Sequence, residues 1–123
     1  MRNQVLVVDD ESFMRDALHQ VLSLENYDIF EAENGKSAID LFETHEFDLV
    51  ITDVLMPVCD GITLFKKIRE NFPETKIIFI TAYVAKNSEM KLASLNPDGY
   101  IYKPFTINDI LRICRTSLTN SGG

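Results

Sequence analysis

Three carboxylates, one hydroxyl and one ammonium group stand at or just after the ends of short apolar runs in the sequence. The residues are Asp9, Asp10, Asp53, Thr81 and Lys103. Three acids at −3 and one lysine at +1 leave a net charge of −2, which one Mg²⁺ would neutralise. Magnesium favours a few carboxylates together with water and substrate phosphate, and a neutralised pocket accepts a phosphoryl group. These residue types therefore predict magnesium-dependent phosphoryl chemistry.

One carboxylate of such a site would act as the nucleophile and form an acyl phosphate. Asp53 is the favoured candidate because it ends a central apolar run, whereas the adjacent Asp9 and Asp10 are typical of a metal-holding pair. Thr81 offers a hydroxyl donor and Lys103 a point charge for phosphoryl oxygens. Each residue alone is more often a solvated loop or helix-terminus residue, but the joint pattern favours a site.

The elements that must position these residues alternate along the chain. Short runs rich in β-branched residues predict strands of a parallel sheet, the second of them at an edge. They cover residues 5–8, 27–30, 49–51, 77–80 and 100–102. Amphipathic stretches between the runs predict helices, the weakest over 86–95. Because parallel strands end at one edge of a sheet, where ligands bind, the polar residues are expected to converge there.

Length and composition indicate one ordinary globular domain. The chain has 123 residues, of which 46% are hydrophobic and 25% charged, and its formal charge is −7. An acidic chain without a basic run lacks the electrostatic footprint for nucleic acid or an anionic membrane. No signal-peptide or membrane-spanning run occurs, and Cys59 and Cys114 have no CxxC companion, so we expect a cytoplasmic protein with reduced thiols.

The chain resembles the receiver domain of bacterial two-component response regulators. The resemblance covers residues 4–118, and its motifs are the segments 7–11, 53–57, 60–61, 80–82 and 100–105. It implies an α/β, flavodoxin-like, doubly wound fold: a five-stranded parallel sheet in the order 2-1-3-4-5 with five helices. Residues 1–120 would form the receiver domain and residues 121–123 a flexible tail.

The resemblance implies a metal set and a phosphoacceptor. Asp53 would accept phosphate from the phosphohistidine of a sensor histidine kinase or phosphotransfer protein. Asp10, Asp53 and the backbone carbonyl of Leu55 would ligate Mg²⁺, with Mn²⁺ as the alternative ion, and Asp9 would act through a water molecule. Such a protein is a regulator that dephosphorylates itself slowly and controls an output partner, with no direct contact to nucleic acid or membrane.

The resemblance also implies a switch. Thr81 and Lys103 would bind the phosphoryl oxygens, the Lys103–Pro104 bond would be cis, and Tyr100 would be the switch aromatic that turns inward. The surface expected to change is the fifth strand with the weak helix over 86–95.

Leu55 and Tyr83 lie two residues beyond Asp53 and Thr81 and would shield the phosphoryl group. Neither is suited to orient an attacking water, which predicts a long-lived acyl phosphate.

Three other functions fit the sequence less well than that of a phosphoacceptor receiver. A magnesium-dependent aspartyl phosphatase would carry a second Asp two residues after the nucleophile, where Leu55 stands. A flavodoxin-like cofactor binder would need a Ser/Thr/Gly-rich loop after the first strand, where three acids stand instead. A degenerate receiver that only binds protein is disfavoured because the acid, threonine and lysine set is complete.

Several aromatic residues receive no functional role. His19 and His45 are expected at the surface, and Tyr102 is expected to point to the opposite side from Tyr100. The residues expected to pack in the core are Phe13, Phe47 and Phe105.

Overall fold

Five parallel strands form one sheet in the order β2-β1-β3-β4-β5, which confirms the predicted sheet and strand order. The computed structural model describes residues 3–54, 60–81 and 95–119. The strands are β1 (Asn3–Val8), β2 (Tyr27–Ala32), β3 (Leu49–Asp53), β4 (Lys76–Thr81) and β5 (Gly99–Tyr102). The helices within the described residues are α1 (Ser12–Leu22), α2 (Gly35–Leu41), α3 (Gly61–Asn71) and α4 (Ile107–Thr119).

The two faces of the sheet carry separate hydrophobic clusters. Alternate residues of a strand point to opposite faces, so Leu6 packs with the residues of α2 and α3 while Val5 packs with those of α1 and α4. Both residues are fully buried. Burial on both faces explains why the central strands are continuous apolar runs rather than alternating ones.

The strand register brings the carboxyl ends of the strands to one edge. Val8 of β1 is paired with Thr52 of β3, so Asp9 and Asp53 extend from neighbouring strands at the same level. Asp53 is paired with Ile80, and Thr81 with Tyr102, which carries the same edge across β4 and β5. We call this edge, where β1, β3, β4 and β5 end, the carboxyl edge.

Three further predictions concern the weak helix over residues 86–95, the tail and the packing of Phe13. Residues 86–94 of the weak predicted helix lie outside the described residues, as does the whole predicted tail, residues 121–123. Leu95 is described and packs against the cluster on the α2 and α3 face. The prediction that Phe13 packs in the core is wrong, because 64% of the residue is exposed on α1.

Within the described ranges, no helix has both the length and the apolar character needed to cross a membrane.

Cys114 is a buried free cysteine, and burial, aided by the charge of Glu25, raises the pKa of its thiol to about 12. The Cys114 thiol is therefore protonated and unreactive at neutral pH. Cys59 lies outside the described residues.

A carboxylate at the opposite, amino edge of the sheet ties three elements together. Asp98 Oδ2 accepts hydrogen bonds from the backbone N–H of Ile77 at 2.7 Å and from Arg69 Nη2 at 2.7 Å. Arg69 of α3 also donates to the carbonyl of Thr75 at 3.1 Å. This Asp98 network fixes the end of α3, the start of β4 and the approach to β5.

Replacing Asp98 by Ala should destabilise the protein by about 2–3 kcal/mol, because it leaves the Ile77 N–H and the Arg69 guanidinium without their shared acceptor. Urea unfolding measures the loss. The matched control is Asp40→Ala, which removes an exposed pair with Lys36 and should change stability by about 0.5 kcal/mol or less. Equal losses in the two variants would contradict the role given to the network.

Candidate functional site

Three carboxylates meet at the carboxyl edge of β1 and β3. Asp9, Asp10 and Asp53 each offer one oxygen atom, and these atoms lie within 4.8 Å of one another. Asp9 and Asp10 follow β1 directly, and Asp53 ends the neighbouring strand β3. The parallel pairing of β1 with β3 therefore assembles the cluster from positions more than forty residues apart in sequence. We call these three residues the acidic cluster.

Asp9 is the buried member of the acidic cluster, with no solvent exposure. Its Oδ1 accepts a hydrogen bond from the backbone N–H of Glu11 at 2.9 Å, whereas Oδ2 has no hydrogen-bond partner among the described residues. Burial raises the pKa of Asp9 to about 6, and the charges of Asp53 and Asp10 act in the same direction. The Glu11 N–H and Lys103 oppose that rise. A buried carboxylate oxygen that accepts no hydrogen bond from the described residues and lies beside two further carboxylates fits a divalent cation or a water bound to it.

Lys103 places its ammonium group against the acidic cluster. Its Nζ lies 3.3 Å from Asp53 Oδ2 and 3.9 Å from Asp9 Oδ2, and the side chain is largely buried. The lysine follows β5, and the Lys103–Pro104 bond is cis, as the resemblance predicts. One ammonium among three carboxylates leaves the cluster negatively charged, which favours a cation.

Thr81 lies at the same edge, at the end of β4. It is buried, and its carbonyl accepts a hydrogen bond from the backbone N–H of Lys103 at 2.8 Å. The ends of β4 and β5 are therefore joined through the two residues predicted to contact a phosphoryl group.

Tyr100 packs its ring inward, against the cluster on the α2 and α3 face. Its hydroxyl is buried without a hydrogen-bond partner among the described residues, and burial raises its pKa. The prediction that Tyr102 points to the opposite side is wrong. The rings of Tyr100 and Tyr102 stack with centroids 6.3 Å apart, because residues two apart in a strand share a face.

Gly61, which belongs to the motif segment 60–61 and was given no role of its own, packs directly against the backbone of Asp53. A Cβ atom at this position would lie 2.2 Å from the Asp53 carbonyl oxygen and 2.9 Å from Val54 Cα. The Gly61 N–H donates to the Val54 carbonyl at 2.9 Å, and Asp60 caps α3 through the Thr63 N–H at 2.8 Å. The missing side chain therefore allows α3 to begin against the end of β3. The sequence signal that could have indicated this helix start is Asp60, because Asp is a favoured helix N-cap residue.

Other predicted site residues fall outside the described part of the chain. Leu55, whose carbonyl is the expected third ligand, and Tyr83, which is expected to shield the phosphoryl group, are both among them.

Comparisons with known proteins agree on one family. The sequence profile of the response regulator receiver domain matches residues 5–115. The chemotaxis protein CheY of Halobacterium salinarum is 39% identical over 105 residues, covering 85% of this chain and 88% of CheY. The transcriptional regulatory protein SrrA of Staphylococcus aureus is 33% identical over 111 residues, covering 90% of this chain and 46% of SrrA. The chain thus spans most of one relative and about half of the other.

Solved structures give the same result. A CheY-like response regulator receiver domain protein from Methanospirillum hungatei JF-1 superposes with a TM-score of 0.92 at 25% identity, over 99% of this chain and 98% of that one. CheY4 of Vibrio cholerae superposes with a TM-score of 0.88 at 26% identity, over 96% of this chain and 100% of that one. The similarity therefore extends over nearly the whole fold.

In metal-free buffer, Asp9→Asn should stabilise the protein at neutral pH. The pKa of Asp9 is about 6 in the folded chain against 3.8 in the unfolded one, so the folded state binds more protons between these values. The contribution of the Asp9 carboxyl to the free energy of unfolding is therefore largest at low pH. It falls by up to about 3 kcal/mol as the pH rises from about 4 to about 6. Urea unfolding with a chelator at pH 4 and pH 7.5 measures the difference between the variant and the wild type.

The control for this pH dependence is Asp16→Asn, on the exposed part of α1. The free energy of unfolding of Asp16→Asn should change with pH as that of the wild type does. That of Asp9→Asn should lack the fall that titration of Asp9 causes. Parallel curves for Asp9→Asn and the wild type would show that burial of Asp9 has no such effect.

Gly61→Ala should lower stability by at least about 2 kcal/mol and displace Asp53, since the added methyl overlaps the Asp53 carbonyl. Unfolding experiments measure the loss, and amide chemical shifts of residues 52–54 report the displacement. Thr63→Ala, at an exposed position in the same helical turn, should have little effect on either. A Gly61→Ala protein with wild-type stability and shifts would argue against the close approach.

Proposed function

The chain belongs to the response regulator receiver domain family, and on that premise we propose that it is a signalling switch in which Asp53 accepts a phosphoryl group from a phosphohistidine. The observation that carries the proposal is the acidic cluster with Lys103 Nζ 3.3 Å from Asp53 Oδ2. Receiver domains are regulatory phosphoacceptors in two-component signalling rather than conventional enzymes.

Asp53 is the proposed nucleophile because it is the carboxylate that Lys103 approaches most closely and it is not fully buried. Its side chain keeps 14% exposure, whereas Asp9 has none and the exposed Asp10 belongs to the loop after β1. A carboxylate oxygen of Asp53 forms a bond to phosphorus while the P–N bond of the donor breaks, and the electron pair of that bond returns to the donor's imidazole nitrogen. The product is an acyl phosphate on Asp53.

The acidic cluster is the proposed Mg²⁺ site, with Mn²⁺ as the alternative ion. Asp10, Asp53 and the Leu55 carbonyl would hold the ion, and Asp9 would act through a bound water. This assignment is supported by Asp9 Oδ2, which accepts no hydrogen bond from the described residues, and by the excess negative charge of the cluster. When bound, the ion neutralises the carboxylates and stabilises the charge of the transferring phosphoryl group. Lys103 would supply positive charge beside the Asp53 carboxylate oxygens before phosphoryl transfer and beside the phosphoryl oxygens after it.

The switch is proposed to start from Thr81 and Lys103. A phosphoryl group brings about −1.5 to −2 charges and three acceptor oxygens. Two or three charge-assisted hydrogen bonds at about 1.5–3 kcal/mol each approach the roughly 5.5 kcal/mol needed to invert a two-state population. The Lys103–Thr81 backbone bond would couple the ends of β4 and β5, with Tyr100 beside them. The surface that responds is proposed to comprise β5 and residues 86–95, of which only Leu95 belongs to the described part of the chain.

The partners proposed are a sensor histidine kinase or phosphotransfer protein upstream and an output protein or attached output domain downstream. The chain covers 88% of CheY and 46% of SrrA, so the relatives support both a separate output protein and an attached output domain as candidates. Slow self-dephosphorylation would return the switch to its resting state, and Leu55 and Tyr83 would prolong the phosphorylated state.

The test is intact-mass analysis after incubation with acetyl phosphate, with and without Mg²⁺. We expect one phosphate adduct that requires both Mg²⁺ and Asp53, so that Asp53→Ala gives none while the exposed control Asp40→Asn behaves as wild type. Absence of an adduct under every condition would indicate a degenerate receiver. Rapid turnover of acetyl phosphate without a stable adduct would instead indicate a phosphatase.

A further inference from the structure

Arg15 of α1 reaches the peptide group that joins two members of the acidic cluster. Its Nη1 donates a hydrogen bond of 2.6 Å to the carbonyl oxygen of Asp9, which belongs to the peptide bond between Asp9 and Asp10. The Arg15 side chain is largely buried, with 18% exposed, so this hydrogen bond is poorly accessible to competing water. The orientation of this peptide group determines where the two neighbouring carboxylates point.

The peptide group on the other side of Asp9 is held by the sheet. The Asp9 N–H donates to the Ala32 carbonyl of β2 at 3.1 Å, which extends the β1–β2 pairing by one residue. Sheet pairing ends there, so the next peptide group has a side chain as its partner. Arg15 therefore provides the donor that the sheet does not.

Arg15 is itself held by Glu31, and Glu31 is held in turn by His19. Arg15 Nε lies 3.4 Å from Glu31 Oε1 on β2, and the other oxygen of Glu31 lies 2.9 Å from His19 Nδ1 on α1. The fixed plane of a guanidinium allows Nε and Nη1 to bind two acceptors at once, which the single nitrogen of lysine cannot reproduce in that geometry. Glu31 also offsets the charge of Arg15, so the effect of Arg15 on the cluster is primarily geometric.

We propose that Arg15 is a positioning residue that orients the Asp9–Asp10 peptide group and thereby sets the affinity of the acidic cluster for Mg²⁺. This inference rests on the proposed function, since it concerns the same site. Groups that orient metal ligands from outside the coordination shell commonly change metal affinity about 10–100-fold when removed. Glu31 acts one step further out, through Arg15.

The test is calorimetric titration of the purified chain with MgCl₂, without any phosphodonor. Arg15→Gln should weaken Mg²⁺ binding about 10-fold, and Arg15→Lys should restore it only in part. Glu31→Ala should weaken binding less than Arg15→Gln does. The double variant Arg15→Gln/Glu31→Ala should bind Mg²⁺ no more weakly than Arg15→Gln alone, because Glu31 acts through Arg15. Arg112→Gln, on the exposed face of α4, should bind as wild type.

Melting temperatures of the same proteins distinguish positioning from a general contribution to stability. A folded Arg15→Gln protein with wild-type Mg²⁺ affinity overturns the inference, whether or not its melting temperature falls. If Arg15→Gln does not fold, wild-type affinity in Glu31→Ala overturns it instead. These results leave the proposed function intact as long as the wild type binds Mg²⁺ and forms the Asp53 adduct. A wild type that does neither overturns both proposals.

Discussion

Mutual repulsion among three carboxylates is the constraint on which the rest of this structure depends. Asp9, Asp10 and Asp53 are brought within 4.8 Å of one another, and Asp9 is fully buried there. Such an arrangement opposes folding, since like charges and burial both disfavour ionised carboxylates. The two hydrophobic clusters of the sheet supply the stability that holds it together. The resulting site favours a positively charged ligand because Lys103 compensates only part of its negative charge.

The neighbours of the acidic cluster restrain it from different directions. Lys103 supplies the ammonium group that partly compensates Asp53, Gly61 allows α3 to begin against the Asp53 backbone, and Arg15 holds the peptide group after Asp9. These contacts come from three separate elements around the carboxyl edge. The acidic cluster is therefore preorganised by backbone contacts as much as by side-chain charge, which is the condition for electrostatic stabilisation at low reorganisation cost.

The sequence was sufficient to predict the sheet and the grouping of the polar residues, because both follow from simple rules. Continuous apolar runs predict buried parallel strands, and the ends of such strands meet at one edge, which brings Asp9 and Asp53 together. The approach of Gly61 depends on where α3 begins relative to β3, which periodicity does not determine. The reach of Arg15 likewise depends on the angle between α1 and β1. The exposure of Phe13 was missed because hydrophobicity alone does not reveal which side of a helix end faces solvent.

The Asp98 network lies at the opposite edge of the sheet from the acidic cluster, and this separation has a consequence for how the domain can be altered. Protein sites that require strained or repulsive groups commonly oppose stability, so that improving one property harms the other. Here a major stabilising contact, from Asp98 to Ile77 and Arg69, is remote from the charged residues. Substitutions at the amino edge can therefore adjust thermal tolerance while the phosphoryl chemistry stays unchanged. The domain is accordingly suited to adaptation across growth temperatures without retuning of its signalling site.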